Sequence, residues 1–465
     1  MSFDQASIHK EKNDNAHDQA VFTPTPEQLD WHSRLHRRIS NQLPAWRGRV
    51  TNLVRRRGSH KIDEVTIEQA YGGMRGVQAL VTDISNVDPA KGLLLRGYTI
   101  DEVLENLPRI DGSEYPLAGG LYFLLLVGEL PNLEEAMMVE DEWKQRARIP
   151  KYVIDVIRTM PMDTHPMTLF STAILTMQRE SLFAYQYQEG IAKSEYWQPT
   201  LEDSLNLTAK MPALAAFIYN LKYRGGEYIA PDPELDWSAN FARMIGKDVS
   251  GYYDLCRLFF VLHSDHELGN ASAHASHLVG STLSDVYYSC AAGMTALAGP
   301  LHGLANQGVL NWLLGVMDHF NDELPTRDQI EDYVLDWLRS GRIIPGYGHA
   351  VLRRTDPRFM AELRFGKKYL PDDKMFKLVR LVYDVVPRVL AETGKVSNPW
   401  PNVDAANGTL QYFFGVREFD MYTVLFGVSR ILGLTANVVW ARALGQPIER
   451  PKSTTTERLE QISGV

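Results

Sequence analysis

The chain has 465 residues, 45% of them hydrophobic and 23% charged, the composition of an ordinary soluble globular protein with length for two or three domains. Its net charge of −9, from 48 Lys and Arg against 57 Asp and Glu, argues against a nucleic acid or an anionic membrane surface as the main partner. Its two cysteines, Cys256 and Cys290, form no C-x-x-C pair, which argues against a disulfide framework or a zinc ribbon and fits a reducing compartment.

Residues 1–20 contain no apolar segment of the secretory type. They carry Asp4, Glu11, Asp14 and Asp18, whereas transit peptides are poor in acids. They read as a disordered tail on a cytoplasmic protein; the alternative is a mitochondrial matrix protein whose presequence is missing. Thr25-Pro26-Glu27-Gln28 is a capping box with Pro at the first helical position. It predicts a helix burying Trp31, Leu35 and Ile39. Asp88-Pro89-Ala90-Lys91-Gly92 predicts a hairpin turn, and Thr99-Ile100-Asp101-Glu102 a second capping box. The remaining pattern is overwhelmingly helical, so the expected class is all-α.

Residues 263–277 read HSDHELGNASAHASH, with His263, His266, His274 and His277 as two i, i+3 pairs. On one helix each pair shares a face. Three readings stand: packed, hydrogen-bonded histidines, a pocket for an organic anion, or a metal site. Gly269-Asn270 lies between the pairs and no thiolate is near, which argues against a metal. Residues 286–317 carry no formal charge and are long enough to span a membrane. Gly299-Pro300 breaks the run, and His302, Asn306, Gln307 and Asn311 would be polar groups in hydrocarbon. Two buried helices meeting at a Gly-Pro corner are expected instead.

His302 sits at that corner, in GPLHGLANQ. It reads either as a satisfied core histidine or as a neutral donor to a carbonyl oxygen becoming an enolate. GRIIPGYGHAVLRRTDPR, residues 341–358, has neither a Walker loop nor a Rossmann fingerprint. Gly346 and Gly348 allow close backbone approach, and His349, Arg353, Arg354 and Arg358 follow. Arginine forks suit carboxylates and phosphates, although a solvated basic helix reads the same way. Met375, Leu378, Val379, Val382, Val386, Val389 and Leu390 recur at helical spacing, with Gly394 placed to end the helix. Asp404 follows the rigid Asn398-Pro399-Trp400-Pro401 and precedes an aromatic run; it is either a desolvated base or a helix cap. Arg430, in an apolar helix, needs an anionic partner.

Together these stretches resemble the citrate synthase family, of the eukaryote-like dimeric type. The matching segments are YGGMRG, RGYTI, THPM, HSDHE, GPLHGLANQ, PGYGHAVLR-x-TDPR, NPWPNVDA, LFGVSR and ERPKS, in the family's order over roughly residues 60–455. The resemblance implies condensation of acetyl-CoA with oxaloacetate, then hydrolysis of the citryl thioester, with no cofactor because acetyl-CoA is a substrate. It implies Asp404 as the base on the acetyl methyl, His302 as the hydrogen-bond donor to the thioester oxygen, and His349 as the acid on the ketone of oxaloacetate. His266, Arg358 and Arg430 match groups that hold oxaloacetate. Arg450 matches an arginine contributed across a homodimer interface to the neighbouring site. Arg75, Arg353, Lys395 and Asn402 resemble CoA contacts, with the backbone of 344–349 against the adenine. Ser397 and Lys193 depart from the residues of close relatives, which puts the phosphate grip in doubt.

The implied architecture is two helical domains with the active site in the cleft. A large domain would comprise 21–304 and 413–465, and a mobile small domain 305–412. The chemistry agrees: an acetyl methyl is so weak an acid that a carboxylate needs a donor on the thioester oxygen at the same moment. A 2-methylcitrate synthase using propionyl-CoA needs the same groups and differs by one methylene, worth about 1–3 kcal/mol. A non-catalytic scaffold that keeps the fold is the reading from another class; the presence of His302, His349 and Asp404 together argues against it.

Overall fold

The computed structural model describes residues 22–30, 33–349, 351–394 and 398–464. The tail expected at 1–20 lies outside the described residues, as do Trp31, Lys395 and Ser397.

The fold is mainly helical, as expected. Most helices start where a short polar side chain takes up the free amides of the first turn. Thr99 and Glu102 form the reciprocal box that opens Ile100–Asn106. The Thr25 box also forms: the Thr25 amide donates to Gln28 Oε1 at 2.8 Å and the Gln28 amide to Thr25 Oγ1 at 3.4 Å. It encloses only the 3-10 turn Glu27–Leu29, a correction to the sequence reading. The chain turns extended at Asp30, and the long helix Arg34–Arg57 has its own cap in Ser33. Leu35 and Ile39 are buried on that helix.

The predicted hairpin pairs Ser85–Asp88 antiparallel with Gly92–Leu95, and Tyr98–Thr99 adds a short third strand. Asp88 Oδ1 accepts the Ala90 and Lys91 amides at 2.8 Å each, and Gly92 takes φ +87°. The centre of the molecule is the packing of Trp197–Tyr223 against Tyr422–Ala443. Both are buried almost all round, as core helices are. The segment Phe419–Ala443 is long and apolar enough to cross a membrane by length and composition, yet protein covers most of it and it carries Arg430.

The uncharged run divides as expected, into Val286–Leu297 and Ala305–His319 on either side of Gly299-Pro300. Beyond it, Ala305–His319, Pro357–Tyr369 and Lys374–Glu392 all pack on Asp404–Phe413, and Arg327–Arg339 packs on Lys374–Glu392. Lys374–Glu392 buries the predicted apolar face and ends before Gly394, at φ +63°. Pro357–Tyr369 also touches Ser250–Leu262 and Ile100–Asn106. The loops beside these contacts carry the chemistry.

Candidate active site

The four histidines of 263–277 have separate partners. His263 follows Ser250–Leu262, stacks on Phe259 with centroids 4.1 Å apart, donates from Nδ1 to Phe259 O at 3.0 Å and accepts the Asn407 amide at Nε2, also 3.0 Å. Burial, then Arg358, pushes its pKa down to about 3, so it is a neutral packed group. His274 Nε2 lies 2.8 Å from Glu449 Oε1, and His277 Nε2 4.0 Å from Glu449 Oε2. His266 turns elsewhere: its ring centre is 5.6 Å from that of His349. Its buried Nδ1 has no hydrogen-bond partner among the described residues. Burial and the charges of Arg358 and Arg430 hold it well below the usual histidine range. Among the described residues no group of three or more His, Cys, Asp or Glu is arranged to hold a metal ion.

His302 lies in the turn after Val286–Leu297. Its Nε2 accepts the backbone N–H of Ser272, in the first turn of Ala271–Ser281, at 3.3 Å. Burial, then Arg430, pushes its pKa down to about 4. A neutral ring that accepts at Nε2 carries its proton at Nδ1, which is a donor.

His349 is fixed the opposite way round. Its Nδ1 accepts the amides of Val351 and Leu352, each at 3.0 Å, so Nε2 carries the proton. Burial and Arg358 lower its pKa to about 4. The loop that holds it is stitched to the segment before Asp404. The Gly348 amide donates to Trp400 O and the Asn402 amide to Gly346 O, each at 2.9 Å. Asn402 Nδ2 donates to Gly348 O at 3.1 Å, and its Oδ1 accepts the Asp404 amide at 3.0 Å. Asn402, expected among CoA contacts, is thus a tie between the two loops. Gly346 has φ +79°, and a Cβ there would come within 2.7 Å of Val309 Cγ2 and 3.1 Å of Ala405 Cα.

Asp404 is the first residue of Asp404–Phe413, not its cap. Burial raises its pKa to about 6; Arg358 and Arg430 oppose the rise and Asp356 adds to it. It is ionised near neutrality yet a stronger base than an exposed aspartate. Arg358 is buried and forks onto Asp356, with Nη2 to Oδ2 at 2.7 Å and Nε to Oδ1 at 3.1 Å. Arg430, 1% exposed, donates from Nε to His263 O at 3.0 Å, and from Nη1 to Asn270 Oδ1 at 2.9 Å and Ser272 Oγ at 3.2 Å. Ser272 therefore links Arg430 to His302.

The charges of Arg358 and Arg430 both reach His266 and Asp404, that of Arg358 reaches His349 and that of Arg430 reaches His302. The structure does not bring Arg75 or Arg450 into that cluster; both are exposed. Arg75 lies in a turn where Gly73, Met74 and Gly76 take positive φ. Arg353 is exposed, with Nη1 on the carbonyls of Val351 and Leu352 at 2.8 Å. Sequence reasoning missed Asp356, Asn270 and Ser272. Asp356 had a signal in Thr-Asp-Pro-Arg, an aspartate before a proline that starts a helix, and its Oδ1 does cap that helix.

Two guanidiniums, two neutral imidazoles with fixed tautomers and the desolvated Asp404 carboxylate are groups that can take a proton from carbon beside a carboxylate-bearing acceptor. That is the equipment of a condensing acyltransferase. The family model described as "Citrate synthase, C-terminal domain" matches residues 73–452. The chain is 49% identical over 425 residues to the probable mitochondrial citrate synthase of Glossina morsitans morsitans, covering 91% of each chain. It is 48% identical over 427 residues to the mitochondrial citrate synthase of Xiphias gladius, covering 92% of this chain and 91% of the other. Among solved structures, citrate synthase from Pyrobaculum aerophilum superposes with a TM-score of 0.72 at 27% identity, over 83% of this chain and 92% of the other. The Thermoplasma acidophilum enzyme, in a ternary complex with carboxymethyl coenzyme A and oxaloacetate, shares the fold at a TM-score of 0.69 and 22% identity, over 84% and 96%. The chain belongs to the citrate synthase family. It condenses acetyl-CoA with oxaloacetate and hydrolyses citryl-CoA to citrate and CoA. Nothing in these comparisons supports the propionyl-CoA alternative. The expected cytoplasmic location is corrected: the relatives are named mitochondrial, and the acidic residues it relied on lie in the segment outside the described residues.

Proposed function

We propose that Asp404 takes the proton from the acetyl methyl while His302 Nδ1–H donates to the thioester oxygen. The C–H electrons become the enol double bond and then attack the ketone carbon of oxaloacetate. His349 Nε2–H donates to the ketone oxygen as charge builds there, and water then cleaves the citryl thioester. No step needs electrons from outside, so the reading includes no cofactor. Arg358, Arg430 and His266 hold the two carboxylates of oxaloacetate. The observation that carries this is the opposite tautomers of the two histidines, each fixed by backbone amides. The ternary complex of the Thermoplasma acidophilum relative supports the substrate pair.

The protein works as a homodimer in this reading. Arg450, exposed on its own chain, completes the neighbouring oxaloacetate pocket, and the adjacent Glu449 is held by His274. Residues 305–412 form a small domain that closes over 21–304 and 413–465, excluding water from the enol. Arg75, Arg353, Lys395 and Asn402 grip CoA in this reading. The relatives' names support a mitochondrial site of action. The test is release of free CoA thiol from acetyl-CoA, with and without oxaloacetate, by wild type and by a mixture of Arg450→Ala and His349→Ala subunits. Thiol release that needs oxaloacetate, with activity regained on mixing two inactive variants, is the expected result. No recovery on mixing sinks the shared site.

A further inference from the structure

Glu362 is a buried acid beside the site that the mechanism leaves unused. It is 1% exposed, on Pro357–Tyr369, one helical turn after Arg358 and on the same face. That helix packs on Asp404–Phe413, which begins with the catalytic base. Glu362 Oε2 is buried without a hydrogen-bond partner among the described residues. The cation one turn back on the same face, Arg358, is forked onto Asp356 instead. An ionised carboxylate without a partner is costly to bury; a protonated one is much less so.

Charge counting leads the same way. The acids whose charge reaches Arg358 and Arg430 already include Asp356, Asp404 and the buried Asp265. A further negative charge from Glu362 would add to an anionic excess before a dianion arrived. We propose that Glu362 is a positioning residue that works as an uncharged carboxylic acid, leaving the charge of Arg358 and Arg430 free to bind the two carboxylates of oxaloacetate. This rests on the reading of those arginines as the oxaloacetate clamp. Burial, with Asp404 and Asp356 adding, holds the Glu362 carboxyl well above the usual range, against the pull of Arg358.

Among the described residues, the other elements packed on this helix bring Glu362 no ion-pair partner. Ser250–Leu262 brings Asp254 and Arg257, bonded to each other at 2.9 Å and further to Tyr369 and Asp236. Ile100–Asn106 brings Asp101, paired with Arg364 at 2.6 Å. Tyr383, on Lys374–Glu392, donates to Met360 Sδ at 3.8 Å.

The experiment measures kcat and KM for oxaloacetate from pH 6.5 to 9.5 (a range of about three units around neutrality) in wild type, Glu362→Ala and Glu362→Gln, with an infrared difference spectrum between wild type and Glu362→Gln at neutral pH. Glutamine has the shape of the protonated acid and no charge. The expected spectrum shows a protonated-carboxyl C=O band that Glu362→Gln removes. Glu362→Ala, which leaves a cavity beside Arg358, raises KM for oxaloacetate about tenfold and Glu362→Gln restores it, the tenfold step being about 1.4 kcal/mol. Any alkaline rise in wild-type KM that comes from ionising Glu362 is absent in Glu362→Gln. Absence of the band, or failure of Glu362→Gln to restore the KM lost in Glu362→Ala, overturns the proposal. Arg358→Gln and Arg430→Gln serve as controls: an unchanged KM in both overturns the clamp, while the infrared band still reports on Glu362 alone.

Discussion

The backbone N–H of Ser272 points at Nε2 of His302 across 3.3 Å. An amide nitrogen only donates here, so Nε2 is the bare nitrogen and the ring proton sits on Nδ1. With its pKa lowered to about 4 by burial and Arg430, His302 stays neutral through the physiological range. Nitrogen-15 NMR of histidine-labelled protein should show His302 as the Nδ1–H tautomer, with no protonation until the pH falls toward about 4. His302→Ala should lower kcat about 100- to 1,000-fold, the usual loss for one preorganised donor, with little change in Tm.

In the proposed mechanism Asp404 sets the acid side of the pH profile. Its pKa is raised to about 6, and only the ionised form can accept the methyl proton. Activity should therefore fall tenfold per pH unit as the pH drops below about 6. His302 and His349, lowered to about 4, do not titrate in that window. A log kcat/KM profile whose acid limb breaks near 4 instead of 6 would contradict the raised pKa of Asp404.

Asp356 holds Arg358 by a fork in a place closed to water. Removing one partner of such a pair leaves an uncompensated buried charge, at about 3–5 kcal/mol. Asp356→Ala should lose stability on that scale in urea and raise KM for oxaloacetate. A loss below about 1 kcal/mol, the scale of an exposed pair, would mean that water reaches Arg358.

Gly346 combines a left-handed φ of +79° with a Cβ position 2.7 Å from Val309. Alanine there should cost about 1–3 kcal/mol in backbone strain alone. The same loop carries His349, so kcat should fall along with Tm. A Gly346→Ala protein with normal kcat would show that the loop relaxes without moving the histidine.

Much of the local structure was legible because local chemistry decides it. The Asp88 turn, the Thr99 box, the Gly299-Pro300 corner and the apolar face of 375–390 each depend on residues a few positions apart. The Thr25 box shows the limit: capping chemistry starts a turn but does not set how far the helix runs, and Ser33 starts it again. The catalytic set was named through motif resemblance. The contacts around it join distant positions: His266 with His349, and Ser272 with His302. No spacing in the sequence encodes them, because tertiary packing creates them. The location was misjudged from four acids in residues 1–20, which lie outside the described residues; the relatives' names corrected it.

The central claim is that Asp404 removes the methyl proton from a folded, substrate-binding site. The most direct measurement is oxaloacetate-dependent thiol release by Asp404→Asn, with Tm and oxaloacetate affinity recorded on the same preparation. The account predicts kcat reduced about 100- to 10,000-fold, the range for loss of a positioned general base, with Tm and oxaloacetate binding near wild type. Turnover within a few-fold of wild type from that variant would contradict it.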